Sequence, residues 1–177
     1  VLRRSLELLG CTVAVNAVLP GEGTDTIRTA DMIFMGAGTE RAQKAAAEAL
    51  ANCRKDLKAA GSDGVVMLFC GTAMELLGKT IIDAGGTAYE GLGLGEFISR
   101  QGKRRYVEDV YGHTPLYPDA VVGFMNKCSI IEGIETPLLH SLDMGFGNTG
   151  SKTPEGFLQN RIIASELTGP LLVKNPR

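Results

Sequence analysis

Apolar residues recur along this chain with a helical spacing in some segments and as short continuous runs in others. Leu2, Leu6 and Leu9 share one face of a predicted first helix, which stops at Gly10. An α/β sheet normally begins with a strand, so we expect that a strand preceding Val1 is missing from this sequence.

Short apolar runs bounded by turn residues predict the strands of the first half. They lie at Thr12–Val18, Asp31–Met35 and Gly64–Phe69. The third run is apolar on both faces, as expected of a central parallel strand. A turn-rich loop, "PGEGTDT", follows the first run. A long alanine-rich helix is predicted from about Glu40 to Ala60, with Gly61 closing it.

The pattern changes after Cys70. A helix is predicted to continue from the Cys70 turn to about Ile82. From Gly85 to Phe157, glycine turns alternate with short β-like runs, which predicts antiparallel hairpins. One more apolar run, "RIIAS" at 161–165, predicts a last strand. The whole chain, residues 1–177, is predicted to form a single α/β domain with a β-rich insertion before that strand.

Composition excludes several classes of function. The net charge is −2 in 177 residues and the pI is near 5.7, so we expect neither nucleic acid nor an anionic membrane surface as a partner. No apolar run approaches the roughly 20 residues of a membrane span. With two histidines and four widely spaced cysteines, no metal site is expected, and we expect a reducing, cytoplasmic compartment. No motif calls for a cofactor.

Cys70 lies where a buried strand is predicted to turn into a helix, the edge at which open α/β sheets bind ligands. The helix N-terminus would favour a thiolate there. Gly71 and the Gly36–Gly38 turn could offer backbone N–H groups to an oxyanion, which together describe acyl transfer through a thioester. The alternative is a buried, inert cysteine, and position alone does not separate the two.

Six stretches resemble, in order, the class I glutamine amidotransferases of the cobyric acid synthase branch, and within it the glutaminase subunits of lipid II isoglutaminyl synthases. Those six stretches are "DMIFMGAGTERAQ" (family D-x-x-x-x-G-G-G-x-D-R-E-Q), "GVVMLFCG", "GLGLGEF", "VVGFMN" (V-G-F-E-N-H), "GFGNTG" and "GPLLVKNP". The resemblance implies a flavodoxin-like, mainly parallel sheet flanked by helices. It also implies glutamine or a similar small amide as ligand and a Mur-ligase-like, ATP-dependent partner subunit.

Site residues follow from the resemblance position by position. Cys70 occupies the nucleophile position, Gly38 and Gly71 match the oxyanion turns, and Arg105 resembles the arginine that would hold the carboxylate of glutamine. Asn126 matches an asparagine kept beside the substrate. Arg105 could equally be one more solvated charge in a basic turn. A polar patch after the oxyanion loop, with a plainer role in capping the long helix, consists of Glu40, Arg41 and Gln43.

The elbow departs from the family pattern C-G-G-Y-Q-L-L-G, because Cys70 to Gly78 takes one step more than the pattern allows. Aligning the upstream strand places Cys70 on the nucleophile, with an extra residue in the helix. Aligning the downstream "LLGK" places Gly71 there and leaves Cys70 on the strand. The equal length of the upstream strands favours the first register.

The catalytic histidine is also absent. The family stretch L-H-G-P-L-L reads "LTGPLL" here, so Thr168 holds the histidine position and Pro170 the position where related triads carry an acid. A threonine hydroxyl cannot act as base or acid near neutral pH. Lys127 likewise replaces a histidine after Asn126. We do not expect His113 or His140, both next to turn residues, to substitute.

Three hypotheses follow. The first is a glutaminase that uses Cys70 with an unrecognised base to supply ammonia to a ligase. The second, which the missing histidine favours, is a catalytically degenerate subunit that binds a ligase partner or a small amide. The third, thiol sensing by Cys70, has only the cysteine behind it. We expect the sulfur of Cys70 to face Gly36–Gly38 and Thr168 to lie near Cys70. The acceptor, a peptidoglycan precursor or a corrin-like carboxylate, is not specified.

Overall fold

The computed structural model describes residues 1–19, 25–168 and 171–175. Most of the predicted "PGEGTDT" loop lies outside these residues, as do Gly169 and Pro170 of the "LTGPLL" stretch. Within the described residues, no helix has both the length and the apolar character needed to cross a membrane.

Strands outnumber helices in the second half of the chain. The strands of the described residues are β1 (Met32–Met35), β2 (Val66–Cys70), β3 (Thr80–Ile82), β4 (Ala88–Glu90), β5 (Ile98–Thr114), β6 (Tyr117–Glu132), β7 (Ser141–Met144), β8 (Phe157–Gln159), β9 (Ile162–Ser165) and β10 (Leu167–Thr168). The helices are α1 (Leu2–Leu8), α2 (Asp25–Arg28), α3 (Glu40–Leu50), α4 (Arg54–Ser62), α5 (Thr72–Glu75) and α6 (Leu171–Lys174).

The first sheet has the strand order β1-β2-β9-β8. β2 lies between β1 and β9 and runs parallel to both, with Met67 opposite Ile33 on one side and Ile162 on the other. β8 joins antiparallel to β9. The central, parallel position predicted for the run before Cys70 is therefore confirmed, and its apolar residues on both faces are explained by burial on both sides.

The predicted strand at Thr12–Val18 is wrong. This segment has no regular structure, and Val15 is 67% exposed. Its alternating β-branched residues favour a strand, but a strand forms only when a neighbour supplies hydrogen bonds. Consequently β1 has β2 as its one neighbour in the described part of the sheet, and Phe34 of β1 is 54% exposed.

The predicted long helix forms in two parts. α3 and α4 are joined by a 3-10 turn at Ala51–Cys53, and Thr39 caps the start by accepting a hydrogen bond from the Ala42 N–H at 3.1 Å. Gly61 does not end the helix as predicted. It lies inside α4, buried near the Ile162 side chain. The chain turns instead at Gly64, whose φ of 83° suits glycine.

The helix predicted to run to Ile82 is also wrong, since α5 is a single turn that ends at Glu75. The β-branched residues Thr80–Ile82 form β3 instead. Gly78 makes the change of direction possible, because a Cβ there would lie 2.7 Å from the Phe97 carbonyl oxygen.

The predicted β-rich insertion is confirmed as a second sheet of order β10-β6-β5-β3-β4, with β7 paired to β5. Its largest part is the antiparallel β5–β6 hairpin. The short runs predicted separately within 104–132 merge into these two long strands. β10, which carries Thr168, pairs with β6.

Two apolar clusters hold the layers together. The larger packs the first sheet against α3, α4 and α5 and includes Phe97, which is fully buried and in ring contact with Phe157 at 5.3 Å between centroids. The smaller lies under the hairpin, around Val110, Met125 and Leu167.

The burial of Phe97 predicts a large loss of stability on truncation. Phe97→Ala should lower the free energy of unfolding by about 3–5 kcal/mol, because it removes a buried ring and leaves a cavity. Phe34→Ala, the same substitution at a half-exposed edge position, should change it by less than about 0.5 kcal/mol. Urea denaturation monitored by circular dichroism measures both. Equal losses would contradict this assignment of the core.

Candidate functional site

The turn from the central strand into α5 is made by Gly71. Cys70 is the last residue of β2 and pairs with Ser165 of β9. Gly71 follows with φ 60° and ψ −139° and precedes the first residue of α5. Residues other than glycine rarely adopt this backbone conformation. The prediction that Cys70 sits at the turn is therefore wrong, and the downstream register, with Gly71 at the elbow, describes the backbone.

The space around Gly71 is filled by two methyl groups. A Cβ at Gly71 would lie 2.6 Å from the Ala37 Cβ and 3.0 Å from Thr168 Cγ2, closer than carbon atoms pack. The family pattern has glycine at position 37, where this chain carries alanine. A nucleophilic side chain at the elbow would thus meet Ala37 and Thr168 before it met a substrate.

Both backbone N–H groups predicted to bind an oxyanion already have acceptors. The Gly71 N–H donates to the Ser165 carbonyl at 2.7 Å and so continues the sheet ladder. The Gly38 N–H donates to the Thr72 hydroxyl at 3.0 Å, and the same hydroxyl donates back to the Gly38 carbonyl at 3.0 Å. The oxyanion role predicted for Gly38 and Gly71 does not fit this arrangement, because Thr72 closes the turn onto α5.

Cys70 lies in surroundings that disfavour a thiolate. Burial, and then the nearby carboxyl group of Glu155, raise the pKa of the Cys70 thiol to about 11. Burial also raises the pKa of Glu155 to about 7, against the opposing effects of the Glu166 N–H, Lys127 and Ser165. The helix N-terminus expected to activate Cys70 follows Gly71 instead, so the thiolate predicted at Cys70 is not favoured.

Thr168 lies where the family correspondence predicts a residue facing the elbow. Its methyl group packs against Gly71, the residue next to Cys70. Its hydroxyl donates to the Phe124 carbonyl at 3.3 Å, within the β10–β6 pairing. Thr168 therefore fills space at the elbow and uses its one polar group in the sheet.

Arg105 and Asn126 form a pair beside the elbow, since Arg105 Nη1 donates to Asn126 Oδ1 at 2.7 Å. Thr168 is paired directly with Phe124, and Asn126 lies two residues further along β6. Side chains directly opposite in paired strands, and those two apart in one strand, share a face of the sheet. Asn126, Phe124 and Thr168 therefore share one face, and Arg105 reaches it through Asn126.

The predicted polar patch lies behind the elbow and borders an open cleft of about 440 Å³. Glu40 and Arg41 are exposed on its rim, while Gln43 is buried. Gln43 Nε2 donates to the Thr72 carbonyl at 2.8 Å, and the Tyr89 hydroxyl donates to Gln43 Oε1 at 3.1 Å. Thr72 and Tyr89 were not predicted from the sequence as members of this group. With Gly71 at the elbow, Thr72 stands where the family pattern has glycine, and this difference could have indicated that Thr72 has a structural role.

The two histidines lie together at the far end of the hairpin. His113 and His140 line a second cleft there, and His113 Nε2 is 2.8 Å from Asp143 Oδ2. His113 is ~13 Å along β5 from Asp109, the residue opposite Phe124, at about 3.3 Å per residue. Neither histidine reaches the elbow. Among the described residues, no group of histidine, cysteine or acidic side chains is arranged to hold a metal ion.

Two known proteins are similar to this chain over most of its length. The chain is 30% identical over 150 residues to "Lipid II isoglutaminyl synthase (glutamine-hydrolyzing) subunit GatD" of Staphylococcus aureus (strain N315), covering 85% of this chain and 61% of that protein. It is 29% identical over 178 residues to the subunit of the same name from Streptococcus pneumoniae (strain ATCC BAA-255 / R6), covering 98% of this chain and 67% of that protein.

The fold is similar to a solved structure described as "Crystal structure of glutamine amidotransferase", with a TM-score of 0.67 at 14% identity over 98% of this chain and 86% of the other. At that identity the likeness concerns the fold alone, which agrees with the predicted class. The family model of the CobB/CobQ-like glutamine amidotransferase domain matches residues 6–176. This chain is therefore a member of the CobB/CobQ-like glutamine amidotransferase domain family.

Proposed function

We propose that this chain is a catalytically degenerate glutaminase-type subunit that acts by binding a Mur-ligase-like, ATP-dependent partner. The observation that carries the loss of activity is the packing at Gly71, where the Ala37 and Thr168 methyl groups fill the position of the nucleophile. An acyl-transfer site needs a nucleophile, a base and oxyanion donors. Here the elbow residue is a glycine, Thr168 replaces the base, and the Gly38 and Gly71 N–H groups already have other acceptors.

The partner is inferred from the relatives. Both are named as subunits of a glutamine-hydrolysing synthase, and this chain spans 61% and 67% of their lengths. A subunit that has lost its chemistry is retained only for what it binds. An outward strip of β5 and β7 that includes the half-exposed apolar side chains Val107, Tyr111 and Met144 supports a protein-contact role. All four cysteines are free, which suits the reducing, cytoplasmic compartment that we propose.

A small amide remains a second candidate ligand, because Arg105 and Asn126 stay paired on the face beside Thr168. An arginine held by one hydrogen bond keeps other guanidinium N–H groups for a carboxylate. Glutamine, which carries both a carboxylate and an amide, fits this chemistry. Binding without turnover would suit a subunit that senses the amide.

Turnover of glutamine tests the degenerate assignment. Wild-type protein alone should release ammonia at least about a hundredfold more slowly than a typical enzyme's roughly 10 s⁻¹. Cys70→Ala should leave that residual rate unchanged, because Cys70 does not occupy the elbow. Thr168→His alone should not raise the rate, whereas the triple change Ala37→Gly, Gly71→Cys and Thr168→His should, since it restores space, nucleophile and base together.

The assay is ammonia release, measured with and without any co-purifying partner. Circular dichroism of each variant confirms that it has folded. Wild-type turnover of several per second that disappears in Cys70→Ala would overturn the assignment. It would support the alternative, an active glutaminase that works through Cys70.

Alkylation of Cys70 gives an independent prediction. A thiol with a pKa of about 11 contains far less thiolate at neutral pH than an ordinary thiol with a pKa near 8.5. Iodoacetamide should therefore modify Cys70 at least about tenfold more slowly than the exposed Cys11. Timed labelling followed by peptide mass spectrometry measures both rates in one sample. In denaturant the two rates should converge, and equal rates in the native protein would argue against a suppressed thiol.

Association with a ligase gives the prediction for the partner. Co-expressed with a ligase-like protein from an adjacent reading frame, this chain should co-elute with it in size-exclusion chromatography. Cys70→Ala should not affect co-elution, because binding does not require turnover. Val107→Asp should weaken it, whereas Glu135→Gln at an exposed loop position should not. Separate elution of the two wild-type proteins would contradict the proposed subunit role.

A further inference from the structure

Three carboxyl groups lie buried behind the elbow around one lysine. Glu75 and Glu166 are each 1% exposed, Glu155 is fully buried, and Lys127 is 4% exposed. Lys127 interacts electrostatically with all three carboxyl groups. Fully ionised, the cluster would carry three negative charges against one positive charge, a costly imbalance among buried side chains.

Two members of the cluster have conventional partners. Both oxygens of Glu155 accept from the Ser165 hydroxyl, at 3.1 and 3.0 Å, and Oε1 also accepts from the Glu166 N–H at 2.7 Å. Lys127 Nζ donates to the Asn148 carbonyl at 3.0 Å. These contacts account for Glu155 and Lys127 but leave the other two carboxyl groups to be explained.

Three buried oxygen atoms of the cluster have no hydrogen-bond partner: Glu75 Oε1, Ser129 Oγ and Glu166 Oε1. The other Glu75 oxygen is occupied, since Oε2 accepts from the Ser99 hydroxyl and from Gln101 Nε2. The Ser129 hydroxyl is near enough to favour the ionised form of both carboxyl groups, yet it makes a hydrogen bond of standard geometry with neither. Buried polar atoms without partners are rare and call for an explanation.

A proton meets the needs of these atoms better than a metal ion does. No group of acidic side chains in the described residues is arranged to hold a metal ion. A proton on one carboxyl group removes one negative charge and converts an unpartnered acceptor into a donor. We propose that Glu75 and Glu166, with Ser129 between them, form a buried site that holds one exchangeable proton.

The charges that face the site agree with this occupancy. Burial is the largest influence on both Glu75 and Glu166 and raises the pKa of each, and the carboxylates of Glu75 and Glu155 raise the pKa of Glu166 further. The side chains of Ser99, Gln43 and Ser129 lower the pKa of Glu75, and Ser129 also lowers that of Glu166. Lys127 lowers the pKa of both but is shared among three acids. Two further titratable groups face the site. Glu155 interacts electrostatically with Glu166, and Tyr89 interacts with Glu75. No second cation interacts with the cluster in the described part of the chain.

The site joins the elements that form the elbow. Glu75 is the last residue of α5, Ser129 lies on β6, and Glu166 immediately precedes β10, which carries Thr168. Loss of the proton would leave two interacting carboxylates between α5 and β10, each with one oxygen atom that has no hydrogen-bond partner. The contact of Thr168 with Gly71 is therefore expected to loosen as the pH rises, whatever partner the chain binds.

The sign of the pH dependence follows from the raised pKa values. The folded protein holds protons that an unfolded glutamate, with its ordinary pKa of 4.5, releases. Stability is therefore present at low pH and falls as the pH rises from about 4.5 through the folded pKa. Over that interval the unfolding equilibrium constant rises about tenfold per pH unit for each proton held. The contribution of Glu155 ends near pH 7, and that of the Glu75–Glu166 pair ends as the pH passes the raised folded pKa of the pair.

The test is chemical denaturation over a series of pH values. Glu166→Gln and Glu75→Gln should each remove about one tenfold step per pH unit from the fall in stability above pH 4.5, and should make the protein more stable than wild type at alkaline pH. The control is Glu132→Gln, an exposed position on the same strand as Ser129, which should follow the wild-type curve. If the free energy of unfolding of both variants changed with pH as steeply as that of wild type, the proposal would be overturned.

Two measurements on the wild-type protein cover the case in which the variants do not fold. Infrared spectroscopy at neutral pH should show the carbonyl band of a protonated carboxyl group that exchanges slowly in D₂O, and its absence would contradict the proposal. Stability should also be the same in potassium, ammonium and tetramethylammonium chloride at equal ionic strength. Stabilisation by potassium or ammonium alone would show that the site holds a cation instead of a proton.

Discussion

The contact between Ala37, Gly71 and Thr168 is the constraint on which this end of the molecule depends. The parallel pairing of β1, β2 and β9 carries the Gly36–Gly38 turn and the β2–α5 junction to the same edge of the sheet. Because Gly71 has no side chain, the methyl groups of Ala37, which follows β1, and of Thr168, on β10, can pack against its backbone. Thr72 then closes the remaining gap by bonding both polar groups of Gly38. Methyl groups and the Thr72 hydroxyl thus occupy the edge at which open α/β sheets bind ligands.

The strands of the first sheet could be predicted from sequence where burial on both faces dictates composition, as in β2 and β9. The segment at Thr12–Val18 has a strand-like composition and no strand, because pairing depends on a neighbour that composition does not reveal. The helix after the elbow was predicted too long, since the packing of Gly78 against Phe97 involves residues far apart in sequence. Local propensity carries no information about either contact.

The elbow register shows the same limit at the site. The length of the upstream strand favoured Cys70, and a count of residues could not reveal which one takes the positive φ. The pairing of Cys70 with Ser165 decides between the two registers. It places Cys70 on β2 and leaves Gly71 as the residue that makes the turn. Arg105 and Asn126 were each predicted from the resemblance as substrate-binding residues, and the structure places them in hydrogen-bond contact. Their proximity follows from the β5–β6 hairpin, which was predicted.

Two charged residues behind the elbow differ from the family pattern. In the downstream register, Glu75 stands where the family pattern has glutamine, and Lys127 stands where it has histidine. The two side chains attract each other in the buried cluster. Lys127 also interacts with Glu155 and Glu166, so Glu75 is one of three carboxyl groups that offset its buried charge. The two positions therefore interact as members of one buried charge cluster.

The packing at Gly71 also has an evolutionary consequence. A cysteine at position 71 collides with the Ala37 methyl group, so it is harmful until position 37 becomes glycine. A glycine at position 37, arriving first, brings no activity with it, because position 71 still has no side chain. Neither substitution alone therefore gives a nucleophile that fits beside its neighbours. A return of the nucleophile takes both changes together, and the alanine and the glycine in this way help to preserve its loss.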